Sequence, residues 1–311
     1  MSATPAVRPV TAPEFRAAKG RGEKLAVVTA YDYTSARLAD EAGVDAVLVG
    51  DSLGMVVQGH PTSLPVTLRD VIYHTRCVVR GVRRALVVAD LPFLTYQVSP
   101  RQAVRNAGKL MKLGGAHAVK LEGGERTADA VRAVVAAGIP VMGHVGLTPQ
   151  SVHQLGGFKV QRDAAQLMDD AKAVAEAGAF AVVVESVPAD LGAQVTAALP
   201  VPTVGIGAGP GCDAQVLVFH DLLGLEDRIT PKFVRRYAEL GAASVEAIAA
   251  YAADVRSGAF PSAKESYAAP AGLAESLAPA PSVAYAALAQ GSWQLPDEAE
   301  DYLAGLYGIK G

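Results

Sequence analysis

The sequence predicts an α/β protein, a (β/α)8 barrel with a C-terminal tail. Three observations support this fold class: short apolar runs alternate with longer segments of helical periodicity, about eight such runs occur, and they consist of consecutive Val, Leu and Ala residues. Consecutive apolar residues are typical of parallel strands that are buried on both faces, which excludes an alternating antiparallel sandwich. An open, doubly wound parallel sheet remains the alternative.

Predicted strands and helices alternate along the chain. Two helical segments have clear start signals: 67–82 has Thr67 as its N-cap, and 99–114 has Ser99 as its N-cap followed by Pro100. Three units repeat a helix-ending glycine, a buried strand and an acidic residue, as expected of a barrel built from βα modules. The strands are predicted at 25–32, 45–52, 85–92, 117–124, 139–146, 180–187, 201–209 and 216–224.

The composition restricts the classes of partner. The chain has 311 residues, of which 28 are basic and 31 acidic, so a net charge of −3 gives no electrostatic reason to bind nucleic acid or an anionic membrane. The two cysteines, Cys77 and Cys212, lack metal-ligand spacing and suit a reducing compartment. The N-terminal segment lacks the apolar run of a signal peptide, and no apolar run approaches the length of a membrane helix. We therefore expect a cytoplasmic protein with small-molecule partners.

A change of composition predicts the domain boundary. Residues 1–267 are predicted to form the barrel as one catalytic domain, a length that (β/α)8 barrels commonly have. Residues 268–311 are rich in Ala, Pro and Ser, which is typical of a linker or a loosely packed arm. The end of this tail has the pattern of one short helix.

Polar residues occur where the predicted strands end. In a parallel α/β barrel, functional residues lie at the C-terminal ends of strands and in the loops that follow. Charged groups are rarely buried unless they are paired or bound to a metal, so their convergence at one barrel mouth predicts a site. The residues at these ends are Asp32, Asp51, Ser52, Asp90, Lys120, Glu122, His144, Glu185, Ser186, the loop 205–209, His220 and Asp221.

Three of these carboxylates follow neighbouring strands. Asp51, Asp90 and Glu122 end the second, third and fourth strands, and neighbouring strands lie ~4.8 Å apart. Because like charges at this spacing repel, a divalent cation is the simplest neutralising partner. All-oxygen ligation with open positions favours Mg²⁺, and zinc is disfavoured because no Cys or His group has its spacing. Lys120 lies on the same strand face as Glu122, where a purely structural ion pair is the alternative.

Two further features are less specific. The loop 205–209, which contains IGAG, is consistent either with anion binding by backbone N–H groups or with tight packing. Of the histidines at strand ends, His144 is expected to be a site residue and His220 a structural one. The chain has no HExxH or P-loop motif.

Several segments together resemble the ketopantoate hydroxymethyltransferases (3-methyl-2-oxobutanoate hydroxymethyltransferases). The resemblance runs from about residue 8 to residue 267 and includes VTAYDYTSARLADEAGVDAVLVGDSLGMVVQGH, VVADLPFLTY, AVKLEGG, GHVGLTPQSV and VGIGAGPGCDAQVLVFHDLLGL. GDSLGM followed by QGH, with KLEGG and IGAG in this order, is the most specific part. That family is similar to the phosphoenolpyruvate/pyruvate group of (β/α)8 barrels, so the resemblance implies this type of barrel.

The resemblance also implies an activity and an assembly. Members of the family transfer a hydroxymethyl group from 5,10-methylenetetrahydrofolate to 3-methyl-2-oxobutanoate, which gives 2-dehydropantoate for pantothenate synthesis. They use Mg²⁺, and a 2-oxo acid chelates this ion through its carboxylate and keto oxygens before enolate formation. Family members are homodecamers, and the resemblance implies the same here.

Site residues follow from the matching motifs. The resemblance implies that Mg²⁺ is positioned by Asp51, Asp90 and Glu122. It implies that the keto acid is contacted by Asp51, Ser52, Asp90, Lys120 and His144. Glu185 is implied to accept the proton from C3 of the keto acid, while metal and Lys120 hold the enolate charge.

Two alternatives and one departure accompany this assignment. A C–C lyase of the same barrel group is one alternative, and a non-catalytic keto-acid-binding barrel is the other. The presence of Lys120, Glu122 and Glu185 together disfavours the binding barrel, because such a protein would bury three charges without need. The segment after Gln161 is shorter than the family pattern and lacks its glycine, and we expect this loop to cover the site.

Overall fold

Eight parallel strands close into a barrel in the computed structural model, which describes residues 8–226, 228 and 230–268. Each strand pairs with its neighbours in chain order, and β8 pairs with β1, so the predicted closed barrel is confirmed and the open sheet is excluded. The strands are β1 Leu25–Thr29, β2 Ala46–Val49, β3 Leu86–Asp90, β4 Ala118–Glu122, β5 Val141–Gly146, β6 Ala181–Glu185, β7 Thr203–Ile206 and β8 Ala214–Leu217.

Helices follow the strands in the βα alternation that the sequence predicts. Among the residues described, the α-helices are α1 Ala12–Arg21, α2 Tyr33–Glu41, α3 Leu53–Val56, α4 Leu68–Gly81, α5 Pro100–Lys109, α6 Ala128–Ala136, α7 Val152–Leu155, α8 Ala164–Glu176, α9 Ala189–Ala198, α10 Phe219–Leu222 and α11 Leu240–Ser257. The predicted caps are present, since the Thr67 side chain accepts from the Asp70 N–H and the Ser99 side chain from the Gln102 N–H. No helix within the described ranges combines the length and hydropathy needed to cross a membrane.

The eighth strand lies earlier than predicted. The predicted segment was 216–224, whereas β8 ends at Leu217 and Phe219–Leu222 form α10. The apolar run continues from the strand into the helix, and periodicity does not separate a short buried strand from a buried helical turn. In the structure, pairing of β8 with β1 ends at Leu217. The backbone N–H of Phe219 donates instead to the side-chain Oγ1 of Thr29 at 3.0 Å, which marks the end of the strand and the start of α10.

Strand alternation determines which side chains face the barrel interior. Along β3 and β4, Leu86, Val88 and Ala118 belong to the apolar cluster inside the barrel, and the residues between them pack outward against the helices. Asp90 and Lys120 continue the inward-facing series. The barrel interior therefore changes from apolar to charged at the C-terminal ends of the strands.

The described residues divide into two compact units that separate between Glu246 and Ala247. The first unit contains the barrel. In the second, α11 ends at Ser257, and the rings of Tyr251 and Phe260 pack edge to face with centroids 5.4 Å apart. The predicted tail 268–311 and its short helix lie, apart from residue 268, outside the described residues.

Candidate active site

The residues predicted at the strand ends meet at one mouth of the barrel. Strand register places Asp90 opposite Lys120 and Glu122 opposite His144, while Glu185 pairs with Gly146 at the end of the next strand. Asp51 and Ser52 follow β2, and the backbone N–H of Asp51 donates to Oδ2 of Asp90 at 2.9 Å. Relative exposure is between 2% and 4% for the most buried members, namely Asp51, Asp90, Lys120, Glu122 and His144.

Lys120 lies between the other charged groups. Its Nζ is 3.1 Å from Oδ1 of Asp90 and 3.5 Å from Oε1 of Glu122. Burial lowers the pKa of Lys120, but Asp90, Glu122 and Asp51 outweigh burial and raise it, so the side chain stays cationic. The ammonium also lies 3.1 Å from Nδ1 of His144. Because an ammonium only donates, a neutral His144 ring would accept at Nδ1 and carry its proton on Nε2. Burial and Lys120 lower the pKa of His144, but Glu122 and Glu185 outweigh them and raise it to about 9, so the cationic ring is favoured near neutral pH.

Three buried carboxylates surround this single ammonium and differ in proton affinity. Burial, followed by the charges of Glu122 and Asp90, raises the pKa of Asp51 to about 8. Burial also raises the pKa of Asp90, although Lys120 opposes the shift. Burial would raise the pKa of Glu122 too, yet Lys120 and His144 lower it to about 2. In the absence of a further cation, Asp51 is thus the carboxyl group that retains a proton near neutral pH.

The carboxylates fit a divalent cation that keeps part of its own coordination shell. Oδ1 of Asp90 is buried, lies near the Lys120 ammonium and has no aligned hydrogen-bond donor. Among the described residues, no three His, Cys, Asp or Glu side chains converge as a complete metal centre. Mg²⁺ needs no such complete cage, because one or two carboxylates, waters and a substrate complete its octahedron. The negative charge and the oxygen donors of the cluster therefore suit a hard divalent cation.

Glu185 occupies the rim of the cluster. Its Oε2 lies 3.2 Å from Nε2 of His144, and its side chain is 16% exposed, more than the 3% of the His144 side chain. Nε2 of His144 has no partner that is aligned for a hydrogen bond, so this contact is a close approach of the two groups rather than a directed bond. Ser186, the next residue, has φ of 50°, and its N–H and C=O pair with Ile206 and Gln161. This left-handed conformation of a non-glycine residue fixes the direction of the Glu185 backbone.

A buried tyrosine that the sequence did not indicate supports Ser52. The hydroxyl of Tyr31 lies 2.8 Å from Oγ of Ser52, and burial raises the pKa of this phenol. The sequence instead indicated the adjacent Asp32, which caps α2 by accepting from the Ser35 N–H at 2.9 Å. The sequence thus indicated the correct loop after β1. The structure shows that Tyr31 contacts the site residue Ser52, whereas the adjacent Asp32 caps α2.

Gln150 and Tyr96 are two further buried residues that sequence reasoning missed. Gln150 lies in a 3-10 turn after β5, and its side chain donates to Oδ2 of Asp51 at 2.9 Å. The hydroxyl of Tyr96 lies 3.1 Å from the backbone N of Glu122. The signal for Gln150 was available, since it belongs to the GHVGLTPQSV segment that carries the family resemblance.

The loop 205–209 and His220 also lie at the ends of predicted strands, but they contact other side chains rather than the charged cluster. In the loop after β7, Gly207 has φ of +64°, and a Cβ atom there would lie 2.7 Å from the ring of Phe233. This close approach is consistent with the packing explanation for the IGAG glycines. His220 lies in α10 with its ring centroid 5.6 Å from that of Tyr31, and burial lowers its pKa. The ring contact with Tyr31 and the partial burial are consistent with the structural role expected for His220.

Fold and site together define the class of protein. A closed parallel barrel with acid, base and cationic groups buried at the C-terminal mouth is typical of a (β/α)8-barrel enzyme. The family model for ketopantoate hydroxymethyltransferase matches residues 9–263. The chain therefore belongs to the ketopantoate hydroxymethyltransferase family, as the sequence motifs implied, and it is an enzyme.

Relatives and solved structures agree with this assignment. The chain is 60% identical to the 3-methyl-2-oxobutanoate hydroxymethyltransferase of Moorella thermoacetica, over 83% of this chain and 97% of the relative. It is 54% identical to the enzyme of the same name from Carboxydothermus hydrogenoformans, over 83% of this chain and 95% of the relative. In fold, it is similar to 2,3-dimethylmalate lyase, a member of the PEP mutase/isocitrate lyase superfamily, with a TM-score of 0.55 at 20% identity over 83% of this chain and 89% of that one. The structure of phosphonopyruvate hydrolase in complex with oxalate and Mg²⁺ has a TM-score of 0.54 with this chain at 18% identity. The match covers 96% of this chain and 100% of that one. At 18–20% identity these two likenesses support the (β/α)8-barrel fold.

Proposed function

We propose that this enzyme transfers a hydroxymethyl group from 5,10-methylenetetrahydrofolate to 3-methyl-2-oxobutanoate and forms 2-dehydropantoate, a step of pantothenate synthesis. The names of relatives more than half identical to this chain support the keto-acid substrate and the reaction type. The observation that carries the proposal is the position of Glu185, whose carboxylate lies at the rim of the buried cluster of cationic and carboxylate groups, 3.2 Å from Nε2 of His144. The folate donor is inferred from the family resemblance.

The buried cluster has the groups that a 2-oxo acid requires. Lys120 is a cation inside a low-dielectric mouth, where it stabilises the negative charge that develops on the keto oxygen. Ser52 and His144 supply further hydrogen-bonding groups beside it. The carboxylates that would hold Mg²⁺ are Asp51, Asp90 and Glu122, and Asp51 and Asp90 also contact the substrate. When bound, Mg²⁺ would supply a Lewis acid that polarises the carbonyl.

Glu185 is the base in this proposal. Its carboxylate accepts the proton from C3 of the keto acid, and the C–H electron pair becomes the enolate that Lys120 stabilises. C3 then forms a bond to the methylene carbon that the folate supplies. The bonds from that carbon to the folate nitrogens break, a water oxygen takes their place as the hydroxyl group of the product, and tetrahydrofolate leaves with the protons that the water gives up. Nε2 of His144 lies 3.2 Å from Oε2 of Glu185, so a cationic His144 ring would attract the carboxylate and keep it at the rim of the cluster.

A C–C lyase is not favoured by the positions of the cysteines. Lyases of this barrel group commonly use a cysteine in a loop at a strand end. Cys77 lies within α4, and Cys212 is buried next to β8 rather than among the charged residues.

Assembly and location form part of the same proposal. We infer from the family resemblance that the protein is a homodecamer. We infer a cytoplasmic location because both cysteines are free, which suits a reducing compartment. Exposed apolar side chains on α11, such as Val245 at 69% and Ile248 at 66%, are consistent with a homo-oligomer. Sedimentation equilibrium of the full chain would measure the assembly, and a stable monomer would contradict it.

The decisive experiment follows the C3 proton of 3-methyl-2-oxobutanoate by NMR in D2O. We expect Mg²⁺-dependent exchange that EDTA abolishes, and hydroxymethylated product after methylenetetrahydrofolate is added. Glu185→Gln should still bind the keto acid but should reduce exchange by ~10²–10⁴-fold, the usual contribution of a general base. Exchange at the unsubstituted rate would exclude Glu185 as the base, and exchange without product would exclude the folate donor.

A further inference from the structure

A single residue, Gln150, contacts two of the carboxylates that come from different strands. Its side-chain Nε2 donates to Oδ2 of Asp51 at 2.9 Å and to the C=O of Leu91 at 3.0 Å. Its backbone N–H donates to Oε2 of Glu122 at 3.0 Å. Gln150 is only 4% exposed, so these bonds form without competition from bulk water.

The orientation of the Gln150 amide is fixed on its other side as well. Its Oε1 accepts from the hydroxyl of Tyr96 at 2.7 Å and from Nε2 of Gln97 at 3.1 Å. A flipped amide would place Oε1 against the C=O of Leu91, which is an acceptor in every protonation state of the site. The NH2 group must therefore face Asp51.

These contacts use one oxygen of each carboxylate. Oε2 of Glu122 is held by the backbone of Gln150, while Oε1 lies 3.5 Å from Nζ of Lys120 and 3.4 Å from Nδ1 of His144. Oδ2 of Asp51 is held by the side-chain amide, which leaves Oδ1 as the oxygen for a ligand. A carboxylate held in this way loses little further rotational freedom when it binds a cation.

We propose that Gln150 is a positioning residue that fixes Asp51 relative to Glu122 and thereby sets the affinity of the site for its divalent cation. This inference rests on the proposed Mg²⁺ site. Removal of the side-chain amide should weaken Mg²⁺ binding by about 10–100-fold, the usual effect of losing a hydrogen-bond partner of a metal ligand.

Gln150→Met tests the role of the amide. Methionine keeps the length and volume of the side chain, and the backbone bond to Glu122 remains. Mg²⁺ binding to the full chain without substrate is measured by titration calorimetry, and thermal unfolding of the metal-free protein is measured in parallel. The matched control is Gln166→Met, because Gln166 is exposed in the first turn of α8, where its backbone N–H donates to Asp163. We expect the control to bind Mg²⁺ within about twofold of the unsubstituted protein.

A double-mutant cycle separates positioning from a general structural role. In the background of Asp51→Asn, the added Gln150→Met substitution should change Mg²⁺ affinity by less than about twofold, because the carboxylate through which it acts is gone. An equal loss of affinity in both backgrounds would overturn the proposal. Unchanged affinity with a lowered unfolding temperature would also overturn it, because that result describes a residue that only stabilises the fold.

A second variant and a measurement on the unsubstituted protein distinguish a folding defect from a loss of Mg²⁺ binding. If Gln150→Met does not fold, Gln150→Asn replaces it, since an amide one methylene shorter falls short of Asp51 and should give the same loss of affinity. Mg²⁺ binding to the unsubstituted protein is measured first. Absence of that binding would overturn the metal site itself, whereas binding that Gln150→Met leaves intact would overturn only the positioning role.

Discussion

At the scale of single residues, the protonation of Asp51 depends on its neighbours. Burial, Glu122 and Asp90 raise its pKa to about 8 in the metal-free protein, from the ordinary value of 3.8. Because the folded-state pKa lies above the unfolded value, the folded state binds more protons between about pH 4 and pH 8. Over this window, the contribution of Asp51 to stability falls as the pH rises. A cation beside Asp51 would remove this penalty.

Mg²⁺ binding is therefore expected to release a proton from Asp51 near neutral pH. Below about pH 8, affinity should rise with pH by up to tenfold per pH unit, and above that pH it should level off. Calorimetry in two buffers of different ionisation enthalpy measures the released proton directly. Asp51→Asn serves as the control because an amide does not titrate. Binding at pH 7 without proton release in the unsubstituted protein would contradict the raised pKa.

The charged residues of the site were predictable from the sequence, whereas their neutral partners were not. Asp90, Lys120 and Glu122 lie on strands, where alternation and parallel register determine that their side chains meet. Tyr31 and Gln150 lie in connections whose backbone geometry has no simple period. Their roles depend on where a loop turns, which a pattern of apolar residues does not encode.

At the scale of elements, close packing of α2 against α4 depends on Gly81. A Cβ atom at this position would lie 2.5 Å from the C=O oxygen of Tyr33 and 3.0 Å from the backbone N of Arg37. These are backbone atoms, so they cannot rotate away and one of the helices would have to shift. The approach brings α4 against the first turn of α2, the helix that begins directly after Tyr31 and Asp32.

Gly81→Ala should lower the free energy of unfolding by about 1–3 kcal/mol, the usual cost of overpacking. The control is Gly108→Ala in α5, where nothing lies within 4 Å of the added Cβ atom. That substitution should raise the free energy of unfolding by about 0.5–1 kcal/mol, because alanine favours a helix more than glycine does. Urea denaturation measures both changes. Equal effects of the two substitutions would show that helix packing at Gly81 is not limiting.

The boundaries of elements also show where sequence patterns lose information. α4 and α5 begin where the caps at Thr67 and Ser99 predict, because a capping side chain specifies a particular turn of backbone. The boundary between β8 and α10 was misplaced, because an unbroken apolar run satisfies both a strand and a short helix. Local signals thus determine helix starts more sharply than hydrophobicity determines strand ends.

At the scale of the whole molecule, closure of the barrel depends on a limited part of the chain. The eight strands extend from Leu25 to Leu217, and β8 closes the sheet by pairing with β1. The buried apolar clusters of the described residues end at Val216. The family model ends at residue 263, and this chain covers 97% of the Moorella relative with only 83% of its own length. The barrel and its site thus belong to the part of the chain that the family shares.

Deletion of residues 268–311 should therefore leave the barrel folded and active. We expect a single cooperative unfolding transition with a Tm within about 2 °C of the full chain, which corresponds to less than about 1 kcal/mol for a domain of this size. Calorimetry measures the transition, and sedimentation of both chains shows whether assembly changes at the same time. A lower Tm with a smaller assembly would assign the tail a role between subunits. A lost transition with unchanged assembly would show that the tail completes the barrel core, contrary to the closure of the sheet by β1 and β8.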